Sequence, residues 1–187
     1  MTMQVVFIRH GEPDYAPCDA RGLMGQGRDL APLTPRGRQQ ARTAADSSLL
    51  CGCEFIVASP YTRALETAAI ISRVTGLEIK VELDLHEWMP DKTFRYSTAE
   101  QSHALHADFL NCRGVYPEGE TRVWEAIPEL IARVKPVLDR YCAEGARRIA
   151  IVSHGGVIRR FVGKPVIDYC ELNEIDYTPE AQCFGFV

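Results

Sequence analysis

The stretch "VVFIRHGEP", residues 5–13, passes abruptly from four apolar residues to Arg9 and His10. A second stretch, "IAIVSHGGVIR" at residues 149–159, repeats the pattern and places His154 just beyond another apolar run. Continuous apolar runs of this length are typical of strands that are covered on both faces, as in a parallel sheet. The two histidines are therefore predicted to lie where two buried strands end, although they are far apart in the chain.

Strand and helix patterns alternate along the rest of the sequence. Apolar runs predict strands over residues 5–8, 55–58, 78–83 and 147–152, with short closing strands over 175–177 and 183–187. Helical spacing predicts helices over 34–50, 59–74, 97–110, 123–141 and 155–162. Thr34 and Ser59, each followed by proline, are predicted N-caps, and Gly76 is a predicted C-cap. Pro128 and Pro136 fall inside the fourth helix and are expected to kink or divide it.

This alternation predicts an α/β fold, a three-layer α/β/α sandwich with a mostly parallel central sheet. The length of 187 residues fits one domain spanning 1–187, with an irregular insert at about 88–118. Residues 12–33 read as a long loop, and such loops are uncommon unless they bind something. Sheets of this kind bind ligands outside the carboxyl ends of their strands, so both histidines can reach one crevice.

Composition limits the class of partner. The chain is 46% hydrophobic and 25% charged, as expected of a soluble globular protein, and its net charge of −4 predicts no general affinity for nucleic acid or anionic membranes. No apolar run approaches the length of a membrane span, and the N-terminus shows no signal-peptide pattern. The seven cysteines are scattered and are interpreted as reduced thiols. These features together predict a cytoplasmic protein.

Arg63 falls in the first turn of the predicted second helix. A cation at that position is unfavourable by about a few tenths of a kcal/mol to 1 kcal/mol, because a helix N-terminus already carries partial positive charge. A bound anion would reverse this sign, whereas the alternative is a solvated arginine screened by salt. Arg9, His10 and His154 are expected in the same crevice, and four groups that can be cationic would repel one another if it stayed empty. A phosphoryl group would relieve that repulsion.

Four segments, "IRHGEP", "LTPRGRQQA", "SPYTRALETA" and "VSHGGVIR", occur in the order that is typical of the histidine phosphatase superfamily. The sequence resembles the phosphoglycerate-mutase-like branch of this superfamily from about residue 5 to residue 160. The combination of motifs, each at a strand-to-helix junction, is far more specific than R-H-G alone.

The resemblance implies a reaction and a set of roles. His10 would be the nucleophile that forms a phosphohistidine, which requires a neutral ring with one free nitrogen. Arg9, Arg63 and His154 would form the phosphate pocket, with their charges directed at the equatorial oxygens. Fixed cations could supply what a metal ion supplies elsewhere, so the resemblance implies no metal and no cofactor.

A general acid must protonate the leaving oxygen, and "LDLHEWMP" offers Asp84 and Glu87. The family pattern selects Glu87, because the acid there follows a leucine and one further residue. The segment that follows departs from the pattern, since relatives have a glycine within a few residues and "WMPDKT" has none. The alternative for Glu87 is a surface carboxylate near a strand end.

Other positions are open to more than one interpretation. Pro13 stands where many relatives have serine or threonine, so a hydroxyl contact to phosphate is expected to be missing. Arg21, in the long loop, is a candidate for substrate binding. Thr121 is a second candidate, because residues 119–121 are similar to a Gly-Glu-Ser segment that lies near the site in relatives. This segment could equally be a helix N-cap. His103 and His106 could be metal ligands or surface histidines, and the latter is favoured.

The favoured function is hydrolysis of a small-molecule phosphate ester by a phosphatase that acts through His10. The alternative within the family is a phosphoglycerate mutase, which must keep water from the phosphohistidine. Relatives do this with a longer chain and a C-terminal tail, so hydrolysis is expected here.

Two alternatives of other classes remain: a metal site in which His10, His154 and Glu87 form a facial triad, and a non-catalytic phosphate-binding module. No nucleic-acid or membrane partner is expected, and the sequence does not indicate the oligomeric state.

Overall fold

A five-stranded sheet organises the chain in the computed structural model, which describes residues 2–187. The strands are β1 (Met3–Arg9), β2 (Ile56–Ala58), β3 (Ile79–Val81), β4 (Arg148–Ser153) and β5 (Leu172–Tyr177). Their order across the sheet is β3-β2-β4-β1-β5. Four of them are parallel, and β5 pairs antiparallel with β1 at one edge. The sheet is therefore mostly parallel, as the sequence predicts.

Helices cover both faces of this sheet. They are α1 (Ala16–Asp19), α2 (Pro35–Ala45), α3 (Thr62–Thr75), α4 (Ala99–Asn111), α5 (Ile127–Ala143) and α6 (Gly155–Val162). Val5 and Phe7 of β1 pack in one core with α5 and α6, whereas Val6 and Ile8 pack in a second core with α3. Successive side chains of a strand point to opposite faces, so one apolar run supplies both cores. The predicted three-layer α/β/α sandwich is confirmed.

Two predicted helix boundaries on the α2–α3 side need correction. The helix α2 ends at Ala45 rather than near residue 50, because the Ser47 hydroxyl accepts a hydrogen bond from Leu49 N (3.3 Å) and starts a separate 3-10 turn. The helix α3 begins at Thr62, with Tyr61 rather than Ser59 at its N-cap. The predicted cap at Thr34 is confirmed, since its hydroxyl accepts from Gly37 N at 2.8 Å.

The two prolines near α5 do not divide it. The helix begins at Ile127, so Pro128 lies in its first turn, where no N–H donor is needed. Pro136 lies inside the helix, which continues to Ala143. A proline removes only one hydrogen bond, and the buried face of α5, which includes Leu130 and Leu138, is held against the sheet. Of the two expected effects, a kink or a division, the division was wrong.

The C-terminal segment 183–187 is not a strand, contrary to the sequence-based prediction. The strand β5 already occupies the sheet edge beside β1, and it begins at Leu172, earlier than predicted. Phe184 N instead donates to Arg160 O at 2.8 Å, so this segment packs against α6.

Two of the predicted irregular regions contain local helical structure. The region 88–118 contains α4, which was predicted, and otherwise consists of turns and bends. The loop 12–33 contains α1 and a 3-10 turn over Gly25–Leu30. None of the helices within residues 2–187 is both long enough and apolar enough to cross a membrane.

The chain leaving β1 packs backbone against backbone on the first turn of α2. A Cβ atom on Gly11 would lie 2.5 Å from Gly37 O, and a Cβ atom on Gly37 would lie 2.3 Å from Glu12 O. Thr34 N donates to Glu12 O at 2.9 Å across the same contact. Only glycine permits this approach, and it determines the direction in which the chain leaves His10.

We expect Gly37→Ala to lower the free energy of unfolding by about 1–3 kcal/mol, because the added methyl group meets backbone that cannot rotate away. The intrinsic gain of alanine over glycine in a helix, up to about 1 kcal/mol, is too small to offset this clash. Urea unfolding measures the difference. Gly185→Ala is the matched control, since no heavy atom lies within 4 Å of the added Cβ and its φ is not positive. A Gly37→Ala protein as stable as the wild type would show that this contact is not a constraint.

Candidate active site

The pairing of β1 with β4 places the two histidines side by side. The strands are parallel and Arg9 is in register with Ser153, so His10 and His154 follow at the same edge of the sheet. His10 N donates to Ser153 O at 3.0 Å, and the two imidazole rings are 5.1 Å apart between centroids. Both rings are buried, with 4% of His10 and 0% of His154 exposed. The sequence-based expectation that they share one crevice agrees with this geometry.

The hydrogen bonds of His10 define its tautomer. Nδ1 lies 2.7 Å from the carbonyl oxygen of Gly11, which can only accept, so Nδ1 carries the proton. Nε2 is then a lone pair, and Arg63 Nε donates to it at 3.3 Å. Burial lowers the pKa of His10 to about 3, and the charge of Arg63 adds to this effect. His10 is therefore a neutral imidazole whose unprotonated nitrogen accepts a hydrogen bond from a cation.

His154 is held by a serine from the neighbouring strand end. Its Nε2 lies 2.7 Å from Ser59 Oγ, and Ser59 Oγ accepts from Tyr61 N at 3.3 Å. This engagement of the hydroxyl is consistent with Ser59 not capping α3. Burial lowers the pKa of His154 well below its usual value, and the coulombic influence of His10 acts in the same direction. The buried Nδ1 of His154 has no hydrogen-bond partner.

Arg63 is the second residue of α3, and its side chain is 6% exposed. Its Nη1 lies 3.1 Å from Asp29 Oδ1, and its guanidinium group lies over the ring of Tyr61, 5.0 Å from the centroid. Burial raises the pKa of Asp29, and the charge of Arg63 opposes that rise. Sequence analysis missed Asp29, although it assigned binding to the loop that carries it. No local pattern marks an aspartate that meets Arg63 only after folding.

Arg9 borders the same crevice, but its guanidinium group is held from the β5 side. Nη1 donates to Ile167 O at 2.6 Å, and the group lies 4.1 Å from the centroid of the Tyr169 ring. The ring of Tyr169 in turn lies 5.7 Å from that of His10. The Nε atom of Arg9 is buried and has no hydrogen-bond partner.

Glu87 lies beside the N-terminus of α6. Its Oε2 accepts from Gly156 N at 3.3 Å, and its Oε1 accepts from Trp88 N at 2.8 Å. A Cβ atom on Gly156 would lie 2.4 Å from Glu87 Oε1, so the second glycine of "SHGG" makes room for this carboxylate. Asp84 is exposed instead, and only its carbonyl oxygen is engaged, by Arg133. Of the two carboxylates offered by the sequence, Glu87 is the one against α6.

Arg21 and Thr121, the two candidates for substrate binding, have only local contacts in the described chain. Arg21 is exposed, and its Nη1 donates to Pro17 O at 2.8 Å. Thr121 is also exposed, and its carbonyl oxygen accepts a long contact of 3.5 Å from Arg122. None of the hydrogen bonds or ion pairs found for residues 2–187 joins either side chain to the histidines.

The metal-site interpretations receive no geometric support. Within the part of the chain that the structure describes, no three histidine, cysteine, aspartate or glutamate side chains are grouped so that they could hold a metal ion. His10, His154 and Glu87 therefore do not form the facial triad that the sequence left open. His106 packs against the ring of Trp88, with 5.7 Å between the ring centroids.

Comparison with known proteins agrees with this architecture. The model of the histidine phosphatase superfamily (branch 1) matches residues 5–181, so the chain belongs to that superfamily. The chain is similar to Enterobacter sp. (strain 638) "Probable phosphoglycerate mutase GpmB", with 29% identity over 94% of this chain and 85% of the relative.

Solved structures extend the comparison. A mycobacterial glucosyl-3-phosphoglycerate phosphatase, solved in complex with VO3, is 25% identical and has a TM-score of 0.67 over 92% of this chain and 90% of that chain. Bacillus stearothermophilus YhfR has a TM-score of 0.70 at 20% identity, over 99% of this chain and 96% of that chain, and shows the shared fold. The superfamily contains both phosphatases and proteins named as mutases.

Asp29→Asn is expected to tighten the binding of inorganic phosphate, on the order of tenfold, because it removes a negative charge that faces Arg63. Isothermal titration calorimetry with phosphate measures the effect. Asp19→Asn is the matched control, since that carboxylate pairs with Arg28 at 3.4 Å and not with Arg63. Weaker phosphate binding by Asp29→Asn would mean that the carboxylate orients Arg63 instead of competing with the anion.

Proposed function

We propose that this protein is a phosphatase that hydrolyses a small phosphate monoester through a phosphohistidine on His10. The observation that carries the proposal is the state of that imidazole. Nδ1 is tied to Gly11 O and the pKa is lowered to about 3, so Nε2 offers a lone pair throughout the neutral range. Arg63 Nε, which is 3.3 Å from the same atom, brings a positive charge to the place where a phosphoryl group would arrive.

In the first step His10 Nε2 attacks phosphorus, and the bond from phosphorus to the leaving oxygen breaks. Arg63, together with Arg9, stabilises the charge on the phosphoryl oxygens. In this proposal the Ser59 hydroxyl donates to His154 Nε2, which leaves the proton of the neutral ring on the unpartnered Nδ1 and makes His154 a donor. The phosphoryl group displaces the Asp29 carboxylate from Arg63 Nη1.

Glu87 is the general acid in this proposal. It protonates the leaving oxygen, then takes a proton from the water that attacks the phosphohistidine, and the bond from phosphorus to nitrogen breaks to release phosphate. Its place at the N-terminus of α6, held by two backbone N–H groups, fixes the direction of its carboxyl group. The superfamily relatives that are named as phosphatases support hydrolysis.

A phosphoglycerate mutase is the second candidate, because the curated relative with 29% identity carries that name. The first step of a mutase is the same, and the two functions differ in the acceptor of the phosphoryl group. Hydrolysis passes it to water, whereas a mutase returns it to a second hydroxyl of the bound intermediate. The assay must therefore follow both inorganic phosphate and the isomeric product.

We expect the wild type to release inorganic phosphate from 4-nitrophenyl phosphate and from metabolite phosphates, with EDTA present, and His10→Ala to lose at least about 1000-fold in kcat because the nucleophile is gone. An acid-labile phosphoprotein should accumulate in the wild type alone.

Efficient isomerisation of 3-phosphoglycerate, with a trace of its bisphosphate and without phosphate release, would establish the mutase instead. Absence of any turnover by the folded wild type would leave the non-catalytic module, and activity that Zn²⁺ or Fe²⁺ restores after EDTA would favour the metal site.

Glu87→Gln is expected to lower kcat about 100-fold or more for an alkyl phosphate, because a poor leaving group needs a proton, and much less for 4-nitrophenyl phosphate. Asp84→Asn is the matched control and is expected to leave both rates near the wild-type values, since that side chain is exposed. Steady-state kinetics with the two substrates separates acid catalysis from a general loss of folding. Equal losses on both substrates would remove Glu87 from the role of general acid.

A further inference from the structure

A cavity of about 210 Å3 lies next to the candidate active site, between α4, α5 and α6. Arg9 and Glu87 form part of its wall, so the cavity and the site share two residues. The aromatic residues Trp88 and Phe109 line another part of it. The indole N–H of Trp88 is already engaged, since it donates to Glu125 O at 2.7 Å, and the ring therefore offers the cavity an apolar surface.

Three arginines line this cavity, and none of them is paired with a carboxylate. They are Arg9, Arg159 and Arg160. The Nε atom of each is buried and has no hydrogen-bond partner. Among the ion pairs that residues 2–187 form, none includes any of the three. Glu87 is the one carboxylate among the lining residues, so the wall carries three guanidinium groups against one carboxylate.

Arg160 is the most constrained of the three. It is 4% exposed, and the hydrogen bond that it makes through Nη1 goes to the carbonyl oxygen of Gly185 in the C-terminal segment. Burial lowers the pKa of Arg160 to about 10, the charge of Arg159 acts in the same direction, and the charge of Glu87 opposes both. Keeping a buried guanidinium group without an anionic partner costs free energy, which an anion in the cavity would recover.

Inferring from this arrangement, we propose that the cavity binds a second anionic group of the substrate, a carboxylate or a phosphate, while the transferred phosphoryl group lies at His10. This inference rests on the proposed function. It defines the substrate class as a phosphate ester whose leaving group carries an anion on a small apolar or ring-shaped body. The anion would meet Arg159 and Arg160, which suit planar and bidentate contacts. The body would lie against Trp88 and Phe109.

The geometry supports a single ligand that extends from the crevice at His10 into the cavity. Glu87 lines the cavity and contacts the start of α6, and its charge acts on the pKa of Asp29, the carboxylate that pairs with Arg63. Arg9 follows the same pattern, since it lines the cavity and precedes His10 at the end of β1. A leaving group that departs past Glu87 would enter the cavity.

The test compares 3- and 4-carboxyphenyl phosphate with the neutral 3- and 4-carbamoylphenyl phosphates, which are nearly equal in size. For the wild type we expect kcat/KM to be at least tenfold higher for the better carboxylate substrate than for its neutral partner. In the double variant Arg159→Met/Arg160→Met this ratio should fall to about 1. The ratio does not depend on the fraction of folded enzyme, so partial unfolding cannot imitate the result.

Two further variants complete the design. Arg160→Lys keeps the charge. The logarithm of its kcat/KM ratio, carboxylate substrate over neutral partner, should remain more than half of the wild-type value. Arg147→Met removes a charge whose side chain is 89% exposed, just before β4 at the opposite end from the site, and should leave the ratio unchanged. A wild-type ratio near 1, or a ratio that survives the double substitution, would overturn the inference.

Titration of His10→Ala with inorganic phosphate separates this inference from the proposed function. If His10→Ala binds two phosphates, and the same protein with Arg159→Met/Arg160→Met added binds one, the cavity binds anions. If phosphate occupies the cavity but the wild type shows no substrate preference, the cavity binds a free anion and the inference about the substrate is wrong. If the wild type hydrolyses none of the four esters, the proposed function fails, and the phosphate stoichiometry alone decides whether the cavity holds an anion.

Discussion

The parallel pairing of β1 with β4 is the constraint on which the site depends. Arg9 faces Ser153 across the sheet, and the residues that follow both strands emerge together at one edge. A shift of this register by one residue would turn every side chain of a strand to the opposite face, and the two alternating cores would lose their apolar contacts. The burial of Val5 to Ile8 therefore holds the register that brings His10 within 5.1 Å of His154.

Burial also decides which groups of the site carry charge. Both imidazoles lie in an environment that lowers their pKa, so they are neutral beside the guanidinium group of Arg63. This separation leaves the His10 imidazole with an unprotonated nitrogen beside a fixed positive charge. Asp29 balances part of that charge at Arg63, whereas the arginines of the neighbouring cavity have no such partner. Those arginines are the part of this charge distribution that the proposed phosphate site alone does not explain.

Particular elements show how far local sequence reasoning extends. The apolar runs, the cap at Thr34 and the C-cap at Gly76 are local signals, and the structure agrees with them. Ser59 carries the same local signal as Thr34 but does not cap α3, and its hydroxyl bonds to His154, 95 positions away. The segment 183–187 has strand-like composition, yet it lies on α6 because β5 already occupies the sheet edge. Such outcomes depend on partners that are distant in sequence.

By itself, the sequence determined the alternation of strands and helices, the layered fold, and the set of residues at the strand ends, because periodicity, caps and motifs are local properties of the chain. Only the tertiary structure decided the tautomer of His10, the pairing of Asp29 with Arg63, the contact of Glu87 with the start of α6, and the unpaired arginines of the cavity. Hydrogen bonds and charges act over a few ångströms in space. Their partners are therefore known only after remote segments have been packed together.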